Sequence, residues 1–240
     1  MRKRLKQIVF IIGLIVLFFI LQYDFTDKLS WKSWNLPLSG KIIVLDPGHG
    51  GPDGGAGDAE ALEKDIALII SLKLKEYLQE QGALVIMTRE TDKDLADDAT
   101  HGYSRRKAED LKARLDIIND SEADLFLSIH LNALSSPSSR GAQTFYAAHK
   151  KENKEIAKFI QAEFTRNLEN THRLARPISN IYILKNAKKP GALVEVGFLS
   201  NPREKELLKT EDYQEKLAAS IYNGLLRYVS NEKNLPDPKK

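Results

Sequence analysis

The chain contains no cysteine. Disulfides, thiolate metal sites and a cysteine nucleophile are therefore excluded together, and any metal must be held by His, Asp or Glu. Excess charge is also missing over most of the length. The net charge of +3 belongs to the first thirty residues, where Arg2, Lys3, Arg4, Lys6 and Lys28 outnumber Asp24 and Asp27; the remainder carries equal numbers of each sign. A body without net charge lacks the clustered cations that neutralise a phosphate backbone, so nucleic acid is a poor candidate partner. Internal repeats and low-complexity tracts are absent as well.

What is present is an ordinary globular composition, 42% hydrophobic and 29% charged over 240 residues, enough for one catalytic-sized domain with a short appendage. The appendage is the start of the chain, where MRKRLKQ precedes an apolar run from Ile8 to Leu21. A positive flank and an apolar core together signal export. As a helix the run rises about 21 Å, short of the roughly 30 Å of bilayer hydrocarbon, which suits a signal-peptide core. The following QYDFTDKLSW offers no small-x-small cleavage site, and Tyr23 and Phe25 suit the headgroup level, which favours an uncleaved anchor. Residues 1–25 are expected as signal peptide or signal anchor, 26–40 as linker, 41–230 as the catalytic domain and 231–240 as a flexible tail. Contact with the membrane is expected through the N-terminal segment only.

Within the body, short β-forming runs at 41–46, 84–88, 124–130, 142–148, 181–184 and 192–198 alternate with helical spacing at 66–78, 104–120, 152–168, 202–209 and 213–229. This pattern predicts an α/β fold with a mostly parallel sheet covered by helices on both faces. Ligands of such sheets lie beyond the carboxyl ends of the strands. Three polar segments leave strands there: DPGHGGPDGG at 46–55, SIHLN at 128–132 and VEVGFLSNP at 194–202. The first is Gly-rich but has neither the GxxxxGK[ST] nor the GxGxxG spacing of phosphate loops.

His49 and His130 fall at matching ends of two strands, which is how two imidazoles converge on one metal ion. Zinc with nitrogen and oxygen ligands takes two His and one carboxylate and keeps a position for water. Glu63, after 13 intervening residues and at the start of a helix, is the first choice as third ligand. Glu60 is a competitor, and Asp53 and Asp58 are weaker ones because their short side chains sit within the loop. Glu195 interrupts the apolar run ALVEVGF, so its carboxylate demands a metal, a water-filled site, or an ion pair with Lys188, Lys189 or an arginine. Beside a zinc-activated water it could serve as general base. Arg89 follows a strand end and is expected either in an exposed salt bridge or against peptide carboxylates. His101, His149 and His172 read as surface residues, and Tyr182 as core.

DPGHGG, Glu63 before a helix, SIHLN and VEVGFLSNP occur in an order that resembles the zinc-dependent N-acetylmuramoyl-L-alanine amidases of the amidase-3 type, over roughly residues 41–230. The resemblance implies a single α/β domain with about six strands, Zn2+ held by His49, Glu63 and His130, Glu195 as catalytic acid/base and Asn132 nearby. It implies peptidoglycan as substrate. The short N-terminal segment and ARPISNIYILKNAKKPGALVEVGFLSNP resemble most closely the germination-specific members from endospore formers, which act in spore cortex on the way to muramic δ-lactam. Leu131 stands where the family usually has a small residue and Pro177 where many members have a Gly-containing loop, which bears on pocket shape. An exported accessory protein is a further partner class left open. A zinc peptidase or deacetylase of the cell wall and a non-catalytic wall-binding module are the competing readings.

Overall fold

The computed structural model describes residues 2–28 and 36–232. The chain divides into two compact units, 1–36 and 37–240. The first contains one helix, α1 (Arg2–Lys28), with large apolar side chains from Phe10 to Phe19 exposed along it. Among the described residues no helix is long and apolar enough to cross a membrane. The side chains of Tyr23 and Phe25, residues 29–35 of the expected linker and residues 233–240 of the expected tail lie outside the described residues.

The second unit is the α/β body. Its elements in chain order are β1 (Ile42–Pro47), β2 (Gly57–Asp58), β3 (Ala61–Leu62), α2 (Glu63–Glu80), β4 (Leu84–Met87), α3 (Tyr103–Asp120), β5 (Leu125–Asn132), β6 (Gln143–Tyr146), α4 (Lys151–Leu168), β7 (Arg176–Pro177), α5 (Tyr182–Asn186), β8 (Gly191–Phe198), α6 (Pro202–Leu208) and α7 (Glu211–Val229). Six strands form one sheet in the order β4-β1-β5-β8-β6-β7. Strands β4, β1, β5 and β8 run parallel, and β6 is antiparallel to β8.

Side chains alternate between the two faces, and so does the core. Ile43, Leu45, Leu127, Ile129, Val194 and Val196 pack with α2, α4 and α7. Val44, Phe126 and Leu193 on the other face pack with Leu115 and Ile118 of α3 and Ile183 and Leu184 of α5. Both faces are thus buried, which is why the central strands read as nearly continuous apolar runs.

One expected strand is absent. The segment IYIL at 181–184 lies at the start of α5, closed by the Lys185 and Ala187 N–H groups bonding to the Ile181 and Ile183 carbonyls. Four apolar residues serve a short buried helix as well as a strand, and here Ile183 and Leu184 are buried, Ile181 packs half-buried against the same cluster, and Tyr182 faces out. Tyr182 is 43% exposed rather than core. The sixth strand is instead the two-residue β7, whose Pro177 pairs with Tyr146 at the sheet edge, where a residue without an N–H is tolerated.

Candidate metal centre

Strand β1 ends at Pro47, and the chain then makes a Gly-rich excursion before returning as α2. His49 opens that excursion, His130 lies in β5 and Glu195 in β8. His130 and Glu195 are register partners on adjacent parallel strands, so both leave the same sheet face. Glu63 is the first residue of α2 and is 4% exposed.

Two glycines let these groups meet. A Cβ on Gly48 would stand 2.3 Å from the His130 ring, and one on Gly55, at φ +69°, 2.6 Å from Glu63 Oε2. His49 itself has φ 61°, a left-handed conformation that a non-glycine residue holds only when its surroundings impose it. Those surroundings are two buried arginines. Arg114 donates to the Pro47 and His49 carbonyls and to Asp46, and Arg89 donates to the carbonyls of Pro47, Gly48, Thr91 and Lys64. Arg89 is 2% exposed. It is neither in a surface salt bridge nor open to a peptide, because its donors are committed to four backbone carbonyls around the loop.

The resulting geometry is compact. His49 Nδ1 lies 2.9 Å from Asp53 Oδ2, which turns Nε2 toward Glu63 Oε1 at 3.2 Å. His130 Nδ1 lies 2.9 Å from the same oxygen. Glu63 Oε1 also accepts the Leu131 N–H at 3.0 Å and Oε2 the Ala56 N–H at 2.8 Å. The two imidazoles stand edge to face, with centroids 5.1 Å apart. One donor atom from each of His49, Glu63 and His130 lies within 4.8 Å of the others, an arrangement that could hold a metal ion.

Electrostatics fit this use. Burial works to raise the Glu63 carboxyl, but hydrogen bonds and charge from His130 and His49 outweigh it and hold the group well below the usual carboxylate range. Burial likewise opposes charge on Asp53, and His49, Lys107 and Tyr103 more than reverse it. Glu195 behaves oppositely. Burial pushes its carboxyl up to about 7, with His130 and His49 pulling it down and Glu63 pushing it up. Its Oε2 is buried without a hydrogen-bond partner among the described residues. No lysine or arginine among them forms an ion pair with it, so the structural ion pair is not what this position is for.

The other acids separate from the centre. Glu60 is exposed and pairs with Lys205, as does Asp58. Asp53 stands behind His49 and also accepts from Tyr103 Oη and Lys107 Nζ. That orienting role was not foreseen, although an Asp four residues after a candidate His ligand was its available signal. Asn132 offers its carbonyl to the Leu199 N–H. Leu131 is buried at 3%, and its backbone rather than its side chain serves the site. His101, His149 and His172 are exposed, as expected.

Residues 43–227 match the N-acetylmuramoyl-L-alanine amidase family designated Amidase_3. The chain belongs to that family. It is 57% identical over 237 residues to the germination-specific N-acetylmuramoyl-L-alanine amidase of Bacillus subtilis strain 168, covering 99% of this chain and all of that protein. Among solved structures it resembles the CwlD amidase of Clostridioides difficile in complex with the GerS lipoprotein, with a TM-score of 0.78 and 44% identity over 80% of this chain and 100% of that one. It also resembles the catalytic domain of the amidase CwlV from Bacillus (Paenibacillus) polymyxa, with a TM-score of 0.67 and 30% identity over 79% of this chain and 98% of that one. As in the solved amidases of this family, the body is a single α/β domain.

Proposed function

We propose that this chain is an exported zinc amidase that hydrolyses the bond between N-acetylmuramic acid and L-alanine in spore-cortex peptidoglycan, a step toward muramic δ-lactam. The observation that carries the reading is the meeting of His49, Glu63 and His130 on the sheet face from which Glu195 projects an unpartnered carboxylate oxygen. Two imidazole nitrogens and one carboxylate oxygen facing a common point fit zinc, and no softer donor is present. When bound, zinc supplies a Lewis acid for the amide carbonyl and acidifies a water.

The residues of the chain do the rest. Asp53 fixes the His49 ring with Nε2 inward, and the N–H groups of Ala56 and Leu131 fix the Glu63 carboxylate. Glu195 accepts the proton of the attacking water at Oε2 and returns it to the alanine nitrogen as the C–N bond breaks. Burial raises its proton affinity above that of an ordinary carboxylate, and a divalent cation beside it would favour the charged form needed for the first step.

The N-terminal run and its cationic flank support an extracytoplasmic site of action, reached through a cleaved signal or an anchor. The lipoprotein bound to the Clostridioides difficile relative supports an exported accessory protein as a partner here too. Mass spectrometry of purified peptidoglycan digested by the zinc-loaded protein tests the reading. Intact peptides with a new N-terminal alanine and unmodified N-acetyl groups are expected; cleavage within the peptide indicates a peptidase, free amino sugars a deacetylase, and binding without product a wall-binding module.

A further inference from the structure

Arg173, in the segment between α4 and β7, is a cation held in place without an anion. Its Nη1 donates to Gln143 Oε1 at 3.2 Å, its Nη2 to the Arg140 carbonyl at 3.3 Å, and its guanidinium carbon lies 5.2 Å from the Phe198 ring centroid. Among the described residues no carboxylate lies within ion-pair distance of it. Glu204 is electrostatically close, but its oxygens accept the Gly141 and Phe198 N–H groups at 2.9 to 3.0 Å. A guanidinium has five N–H donors, so Arg173 keeps donors for a carboxylate.

Its supports place it beside the proposed centre. Gln143 of β6 is the register partner of Glu195, which is in turn the partner of His130, so the three form one row across the sheet. Phe198 pairs with Asn132 across a register irregularity in which three residues of β8 span two of β5. That irregularity returns Phe198 to the face of the row, where its ring carries the guanidinium. Gln143 lies one strand spacing, about 5 Å, from Glu195, and a peptide advances roughly 3.5 Å per residue. Arg173, one hydrogen bond beyond Gln143, therefore stands on the side of Glu195 away from His130, within reach of a short peptide bound at that row.

We propose that Arg173 anchors the free carboxylate of the second residue of the released peptide and makes the enzyme selective for acidic over amidated stems. The proposal rests on the amidase reading. Holding the guanidinium in advance on Gln143, Arg140 and Phe198 lowers the ordering cost of a bidentate carboxylate contact.

The test compares N-acetylmuramoyl-L-alanyl-D-isoglutamate with its isoglutamine amide. The full-length protein should favour the acid about tenfold or more in kcat/KM, the difference lying in KM, as loss of a charge-assisted bidentate contact would give. Arg173→Ala should bring the acid-to-amide ratio close to one, and Arg173→Lys should restore part of it. Arg173→Gln serves the same comparison if the alanine variant does not fold. Equal use of both substrates by the unaltered protein, or an unchanged ratio in the variants, overturns the proposal. If neither substrate is hydrolysed, the amidase reading itself has failed, and calorimetry with L-alanyl-γ-D-glutamate and its amide decides the anchor. Acid-selective binding lost in Arg173→Ala upholds it, and equal binding overturns it.

Discussion

Beneath the candidate metal centre, charge is buried where an apolar core would ordinarily stand. Asp46 and Arg114 are fully enclosed, and Arg114 also holds Asp110 at 2.8 Å. Removing one partner of such a pair leaves an uncompensated charge, so Arg114→Ala should cost about 3–5 kcal/mol, read as a lowered urea midpoint, together with weaker metal binding as His49 loses its backbone support. Burial raises the Asp46 carboxyl, but Arg114 and Ser128 lower it more, so its folded value lies below the ordinary one. The stability it contributes is present above its unfolded value of about 4 and is lost as pH falls through the folded value. In Asp46→Asn, urea midpoints of the chelator-treated protein should fall less steeply below about pH 4 than in the unaltered protein; an identical slope would contradict this. Glu195→Gln should abolish turnover while zinc stays near one per chain, and retained turnover would remove Glu195 from the mechanism. Gly48→Ala should instead lose metal and turnover together, because the new methyl meets the His130 ring.

The elements that could be read from the sequence are those with long, regular patterns. The helices at α2, α3, α4 and α7 and the strands β1, β4, β5 and β8 follow from periodicity within a few residues. IYIL did not, because four residues cannot distinguish the two periods and the surrounding packing decided. His49 and His130 were legible because each lies at or just beyond the end of an apolar strand run, and Glu195 because it interrupts one, where a carboxylate needs a reason. Arg89, Arg114 and Arg173 were not. Apart from the i,i+4 contact of Arg114 with Asp110 and the Arg89 bond to Thr91, their partners are backbone carbonyls and side chains far away in sequence, so the burial of Arg89 and the roles of all three could not be read locally. At this scale α7 meets α4 closely, since a Cβ on Gly224 would lie 2.6 Å from Ile160 Cα. Gly224→Ala should force the helices apart and cost about 1–3 kcal/mol, seen as a lowered Tm with zinc stoichiometry unchanged, because this contact lies in the helical layer opposite Glu195.

For the whole molecule, the parallel order of β1, β5 and β8 converts sequence distance into proximity. Residues 49, 63, 130 and 195 come from one loop, one helix and two strands and are united only when the sheet has formed, so the proposed centre exists only in the folded state. Metal binding should therefore raise thermal stability by linkage; a Tm unaffected by zinc would mean that the centre does not assemble as described. Chelation should abolish hydrolysis and zinc should restore it. The account stands on where the ion sits, and anomalous diffraction at the zinc edge from crystals of the zinc-loaded protein measures that directly. A single peak within coordination distance of His49 Nε2, Glu63 Oε1 and His130 Nδ1 is expected. A peak on other residues, or none at this end of the sheet, would contradict it.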